Sequence, residues 1–235
     1  MNQGKPRGFI LGLWGVTALV FVALLLFIFL KVPVAQAEAG GIAQKIFYFH
    51  VPAAYALYLC GAVCFVASAM YLVRPTDARD AWARAGAECA SAFGGLIMVS
   101  GPLWAKKAWG VYWTWDPRLT TLLLSILIYV AIVLLRSFAG GGDAERKFAA
   151  AFGVLGTANL PIIHYSVKKW GGNHPTVLKS TGGQGLGDPS MYHALYGGFL
   201  AMTLLAVLLL VLRANLAKSQ ARLLHAEELA PDPHS

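Results

Sequence analysis

"FILGLWGVTALVFVALLLFIFL", residues 9–30, runs for 22 positions without a charged side chain. A helix needs about 20 consecutive apolar residues to cross the hydrocarbon of a bilayer. This stretch therefore reads as a transmembrane helix, and it identifies lipid as the solvent for the rest of the chain. Five further runs obey the same rule: residues 55–73, 89–105, 119–135, 148–167 and 191–212. The composition agrees, since 57% of 235 residues are hydrophobic and 13% charged, more apolar than a soluble core of this length requires. The expected fold is all-α: one polytopic membrane domain over residues 1–235, a bundle of six transmembrane helices with short outer interfacial helices. An even number of spans puts both termini on one side. The first run exceeds a signal peptide's apolar region and no small-residue cleavage site follows it, so it is read as retained.

Lysine and arginine outside the hydrocarbon set the expected orientation. The termini and the connections on their side hold Lys5, Arg7, Arg74, Arg79, Arg84, Arg136, Arg146, Lys147, Arg213, Lys218 and Arg222, eleven of the 19. The opposite side holds the other eight: Lys31, Lys45, Lys106, Lys107, Arg118, Lys168, Lys169 and Lys179. The bias puts the termini inside, by a small margin. Eight outer cations exceed what the rule leads one to expect. They answer either to lipid phosphates or to an anionic ligand. The net charge of +8 is scattered over short loops, which argues for membrane orientation and against nucleic acid.

No soluble domain fits between the spans, and the inner connections carry no nucleotide-binding signature. The glycine-rich residues 180–188, "STGGQGLGD", lack the Gly-Lys-Ser/Thr ending of a phosphate loop and read as a connector. Cys60, Cys64 and Cys89 all fall within or at the start of predicted spans. Cys60 and Cys64, one turn apart, have the spacing of a metal pair but lack further ligands, so they are read as small packing residues. The C-terminal tail, 213–235, is expected to be a short inner helix and a frayed end. Chemistry is left to the outer loops 31–54, 106–118 and 168–190, which enter from one face.

The densest of these is "WGVYWTWDPRLT", residues 109–120, with three of the chain's seven tryptophans. Pro117 biases Asp116 towards an extended backbone. If extension runs back through the loop, Trp109, Val111, Trp113 and Trp115 share one side and form a flat shelf. An earlier helix would instead group Trp109, Tyr112, Trp113 and Asp116. Tryptophan and tyrosine favour the membrane interface in any case, but this density exceeds what anchoring requires and points to a ligand platform.

Four histidines are candidates on the outer side. His50 ends "GIAQKIFYFH", where Ile42, Ile46 and Phe49 form the apolar face of a short interfacial helix and Pro52 turns the chain into the second span. His174 lies in the third outer loop beside lysines and Trp170. His164 sits near the outer end of the fifth span, whose Asn159 and Pro161 make it irregular, and His193 opens the sixth. Two loop histidines over an aromatic shelf could clamp an iron porphyrin, for which imidazole is an axial ligand. Arg118 with Lys168 or Lys169 could then meet its carboxylates. Spacing alone says only that two of the four histidines bind something.

These residues resemble a known family. "WGVYWTWDPRLT", "FYFHVPAAY" and "NLPIIHYSV" on six spans are similar to the CcmC family of haem-handling membrane proteins in cytochrome c maturation, over about residues 42–213. The resemblance implies haem b held on the periplasmic face of the bacterial inner membrane. The implied axial ligands are His50 and His174, and the tryptophan-rich loop supplies Trp109, Tyr112, Trp113, Trp115, Asp116 and Arg118. Tyr112 stands where many members carry another tryptophan. The implied partners are a membrane-anchored haem chaperone (CcmE-like), the membrane and ATPase subunits of an ABC-type complex (CcmB- and CcmA-like) and a small single-span adaptor (CcmD-like). The implied task is binding and handing over haem more than making bonds, with Asp116 orienting ring nitrogens or backbone. A haem lyase of the same superfamily would have a longer chain and more spans. A haem permease subunit would need polar groups through several spans, whereas the first, fourth and sixth are nearly uniformly apolar.

Overall fold

The structure is a computed structural model and describes residues 7–35, 40–138, 142–171 and 186–228, apart from the side chains of His164, Val167, Lys168 and Leu224. The described residues form α1 (Arg7–Leu30), a short 3-10 helix (Gly41–Ile46), α2 (Phe47–Val73), α3 (Asp77–Trp109), α4 (Pro117–Phe138), α5 (Asp143–Ala158), α6 (Leu160–Trp170) and α7 (Pro189–Glu228). All six expected spans fall on helices, and the fold is that of an all-α polytopic membrane protein. Four stretches, Arg7–Leu30, Gly41–Val73, Pro117–Phe138 and Pro189–Leu223, are long and apolar enough to cross a membrane. The third expected span is the second half of α3, whose first turns carry Asp77, Arg79, Asp80, Arg84 and Glu88 instead.

α2 lies at the centre, packed against α3, α5 and α7. Cys60 and Cys64 of its small-residue seam, which also holds Ala53 and Ala56, face Gly86 of α3 across a narrow gap. A Cβ built on Gly86 would stand 2.6 Å from the Cys64 nitrogen and 2.9 Å from the Cys60 carbonyl oxygen. Both obstacles are backbone, so only glycine allows the approach. Such small-residue contacts join helices in lipid, where no hydrophobic effect drives association. All three cysteines are free thiols buried in this core.

At one end of the bundle, charges tie α3 to its neighbours. Arg136 of α4 grips Asp80 with two hydrogen bonds of 2.8 and 2.6 Å, and Arg146 of α5 reaches Asp77 at 2.9 Å. Arg213 of α7 and Arg84 both hold Glu88, at 2.6 and 3.0 Å. Paired carboxylates tolerate partial burial that isolated ones would not. Much of the basic excess on this side is therefore engaged within the chain.

Two helix boundaries differ from the sequence reading. Only Gly41–Ile46 forms a separate short helix, and α2 runs unbroken from Phe47 through Pro52 instead of turning there. Pro52 has no N–H for the Tyr48 carbonyl. α7 closes over that oxygen, because a Cβ on Gly198 would overlap it and come within 2.8 Å of Pro52 Cγ. The tail, in turn, is no separate helix: α7 continues for 40 residues to Glu228, and residues 229–235 lie outside the described residues. Its leucines, alanines, lysines and arginines are strong helix formers. Arg213 on Glu88 and Lys218 Nζ, 5.5 Å above the Trp82 ring, hold its flank to α3.

The fifth span is two helices, interrupted at Asn159. Hydrocarbon supplies no water for freed backbone groups, and the bundle supplies partners in its place. The Tyr58 hydroxyl donates to the Leu160 carbonyl at 3.1 Å, and Thr157 Oγ1 lies 2.9 Å from the Gly153 carbonyl of its own helix and 3.1 Å from the Gly61 carbonyl of α2. Asn159 Nδ2 donates to the Thr121 carbonyl at 2.8 Å and to Ser125 Oγ at 2.7 Å.

The α2–α3 contact can be tested with two glycines of one helix. Gly86→Ala is expected to cost about 1–3 kcal/mol through overpacking, lowering the unfolding temperature in detergent micelles. Gly95→Ala, with nothing within 4 Å of the added carbon, is expected to be neutral or stabilising. Equal unfolding temperatures for the two variants would contradict the close approach.

Candidate functional site

The opposite end gathers the N-terminal turn of α2, the C-terminal turns of α3 and the start of α4. Gly110 stops α3 in the left-handed conformation, φ +78°, with its N–H on the Lys106 carbonyl at 3.2 Å. A residue with a Cβ pays a steric penalty there, so Gly110 is the natural stop signal. Asp116 then starts α4. Its carboxylate accepts the Arg118 N–H at 2.8 Å and its carbonyl accepts the Thr120 N–H at 2.9 Å. Pro117 at the first helical position needs no N–H partner. Asp116 is only 7% exposed, so its visible work is to cap a helix. Asp188–Pro189 opens α7 in the same way, with the Ser190 hydroxyl and amide on the Asp188 carboxylate. Those two bonds hold the Asp188 carboxyl below its usual range.

Between these stops the aromatic residues do not make one flat shelf. Trp109 belongs to α3, and residues 113–116 alone are free of helix and bends. Trp113 and Trp115 meet edge to face, centroids 5.8 Å apart at 83°. Trp109 pairs in the same manner with Trp104, 5.3 Å apart and also at 83°. Edge-to-face contact suits the ring quadrupole better than stacking in one plane. Trp104 was missed in the sequence because it sits inside an apolar span, where a tryptophan carries no distinguishing signal. Trp115 is 76% exposed, and Tyr112 and Val111 are exposed beside it, so the loop turns apolar surface outwards.

His50 stands where α2 meets α3. Its Nδ1 is 2.9 Å from Ser100 Oγ, and Ser100 donates to the Leu96 carbonyl at 2.7 Å. A Cβ on Gly101 would come within 3.1 Å of the imidazole Cε1, so the ring lies against the α3 backbone. Tyr48 Oη of α2, Trp104 Nε1 of α3, and Trp113 Nε1 and Thr114 Oγ1 of the loop before α4 are buried without a hydrogen-bond partner among the described residues. Buried donors are nearly always paired in folded proteins. These four lie at the His50 end of the bundle, and Arg136 Nε is a further such atom at the other end.

The other expected residues divide as follows. Arg118 is half-buried in the first turn of α4, close enough to α2 for its charge to be felt at the Tyr58 hydroxyl. Lys45 caps α1 through the Ile28 carbonyl at 2.9 Å. Lys106 bonds the Gly110 carbonyl at 2.9 Å and lies over the Tyr112 ring at 5.3 Å. Lys169 lies 5.9 Å from the Trp170 ring. Several outer cations thus have work within the chain. His193 is exposed on α7 and lines a groove against Val20, Leu24 and Phe27 of α1. His174 and Lys179 lie outside the described residues, and of His164 and Lys168 only the backbone, in α6, is described.

Comparison with known proteins covers nearly the whole chain. A family model described as "CcmC: Heme exporter protein C" matches residues 7–229. A "Heme exporter protein C" of Bradyrhizobium diazoefficiens is 35% identical over 170 residues, 72% of this chain and 64% of that protein. Another from Escherichia coli K12 is 34% identical over 177 residues, 74% of this chain and 69% of that protein. The matched region thus spans about two thirds of the length of these curated relatives.

The capping role of Asp116 separates from its charge in two variants. Asp116→Ala is expected to lose about 1 kcal/mol of stability, read as a lower unfolding temperature in micelles. Asp116→Asn retains an acceptor for the Arg118 N–H and is expected to stay near wild type. If Asn proves as damaging as Ala, the carboxylate charge matters more than the cap.

Proposed function

Because the chain belongs to the CcmC family, the haem exporter protein C family, we propose that it holds haem b and hands it to a chaperone. The site is the end of the bundle formed by His50 and the tryptophan-rich loop. The observation that carries this reading is the grouping of His50, exposed tryptophan surface and orphaned buried donors on one rim. A haem offers a partner to each. Its iron takes an imidazole nitrogen, its flat apolar macrocycle takes aromatic surface, and its propionates take N–H and O–H donors and cations.

In this reading haem is cargo, bringing the iron and a reactive vinyl edge. His50 and His174 are the axial ligands. Trp109, Tyr112, Trp113 and Trp115 cover the ring, and Arg118 with Lys169 and the orphaned donors of Trp113 and Thr114 receive the carboxylates. Asp116 acts by holding Arg118 and the loop in register. The chain's own groups bind, orient and shield. No residue here is assigned a proton transfer.

The eleven-to-eight division of basic residues supports termini in the cytoplasm and the His50 end in the periplasm, at the bacterial inner membrane. There the partners are a membrane-anchored, CcmE-like haem chaperone docking over the exposed Trp115 and Tyr112, CcmB- and CcmA-like subunits of an ABC-type complex, and a CcmD-like adaptor.

The test is the visible spectrum of the protein purified after co-expression with its chaperone, for wild type and for His50→Ala, His164→Ala and His174→Ala. Loss of a low-spin haem spectrum in the His50 and His174 variants, with His164→Ala unchanged, is the expected result. Haem retained by both of the first two variants, or absent from wild type, would refute the ligand assignment.

A further inference from the structure

The hydrogen bond beneath His50 decides which of its two ring nitrogens is a donor. Ser100 has one hydroxyl hydrogen, directed at the Leu96 carbonyl 2.7 Å away, the back-bond common for helical serines. The same oxygen lies 2.9 Å from His50 Nδ1. If that hydrogen goes to the carbonyl, the serine oxygen offers only lone pairs to His50, and Nδ1 is then the donor. A neutral imidazole protonated at Nδ1 has its remaining lone pair on Nε2.

We propose that Ser100 is a positioning residue for His50: it accepts the Nδ1–H, fixes the tautomer with the Nε2 lone pair, and so presents Nε2 to the iron of bound haem. This rests on the reading of His50 as an axial ligand. Gly101 supports the arrangement sterically. The ring edge lies where a side chain at 101 would begin, 3.1 Å from Cε1, so a larger residue there would push the ring off Ser100. The opposite tautomer would place a hydrogen on the nitrogen that must ligate. Ligating histidines commonly donate their other N–H to a fixed acceptor, which orients the ring and raises its basicity. A more basic imidazole favours ferric over ferrous iron, so removing the Ser100 oxygen raises the haem midpoint potential.

The experiment has one arm without haem. In the full chain labelled with 15N-histidine and solubilised haem-free, the His50 ring signals are identified by their loss in His50→Ala. Wild type is expected to show Nδ1 protonated and Nε2 bare. Ser100→Ala is expected to lose that preference, and Ser100→Thr, which keeps the hydroxyl, to retain it. In the second arm, ferric haem is titrated into the same proteins. Ser100→Ala is expected to bind about tenfold more weakly with a higher midpoint potential, and Ser100→Thr to match wild type. An Nε2-protonated His50 in wild type, or a Ser100→Ala protein with unchanged tautomer and affinity, would overturn the proposal. If His50→Ala binds haem as wild type does, the ligand reading itself fails, whatever tautomer is found, and the positioning role falls with it.

Discussion

The backbone contact between α2 and α3 at Gly86 is the constraint on which the rest depends. Where a Cβ would meet the Cys64 nitrogen at 2.6 Å, two helices can neither slide nor rotate without collision. That contact fixes their antiparallel register. From Gly86 to Ser100 and from Cys64 back to His50 are both fourteen residues, about 21 Å of helix at 1.5 Å per residue. The His50–Ser100 hydrogen bond of 2.9 Å closes the far end of that ladder. A glycine deep in the bundle therefore sets which α3 side chain lies beneath the histidine at the rim.

Lipid explains why polar chemistry is arranged as it is. Within the hydrocarbon each interrupted helix must find its partners inside the protein; at the Asn159 break the Tyr58 hydroxyl meets the Leu160 carbonyl, and the Asn159 side chain bonds Thr121 and Ser125. Charges are held at the two ends. At one they form intramolecular pairs, such as Arg136 on Asp80. At the other the lysines satisfy carbonyls and cover rings, as Lys45 does for Ile28 and Phe29. Among the described residues the buried polar atoms without partners fall mostly at the His50 end, where Tyr48, Trp104, Trp113 and Thr114 lie, with Arg136 Nε at the other.

Four of the expected spans were legible because hydrocarbon thickness sets a minimum length of apolar helix, while the third shares α3 with charged turns and the fifth is split into α5 and α6. The density of aromatic residues at 109–115 marked the loop for the same kind of reason: nothing in membrane anchoring calls for it. What the sequence hid was decided by tertiary contact. Pro52 reads as a turn until α7 closes Gly198 over the Tyr48 carbonyl. Asp116 reads as a ligand-facing group, although Asp-Pro before an apolar run is also a helix-start signal, and the structure shows it acting as one. The flat shelf required coplanar rings, and edge-to-face pairing prevents that. Trp104 and Ser100 escaped notice because their partners lie on another turn or another helix.

The tryptophan-rich loop is fastened at both ends and uncovered between them. Gly110 and Asp116 end one helix and begin the next, so only seven residues, 110–116, lie outside regular helix, and an edge-to-face contact stiffens them further. A loop so held has little conformational entropy left to lose when a ligand settles on it. Its exposed rings are a different matter. Trp115 at 76% exposure and Tyr112 at 58% keep most of their surface outside, despite the contacts with Trp113 and Lys106. Apolar area left outside in this way is stabilised only when something else covers it. Rigid attachment combined with exposed rings is what the proposed role of this loop as a binding platform requires.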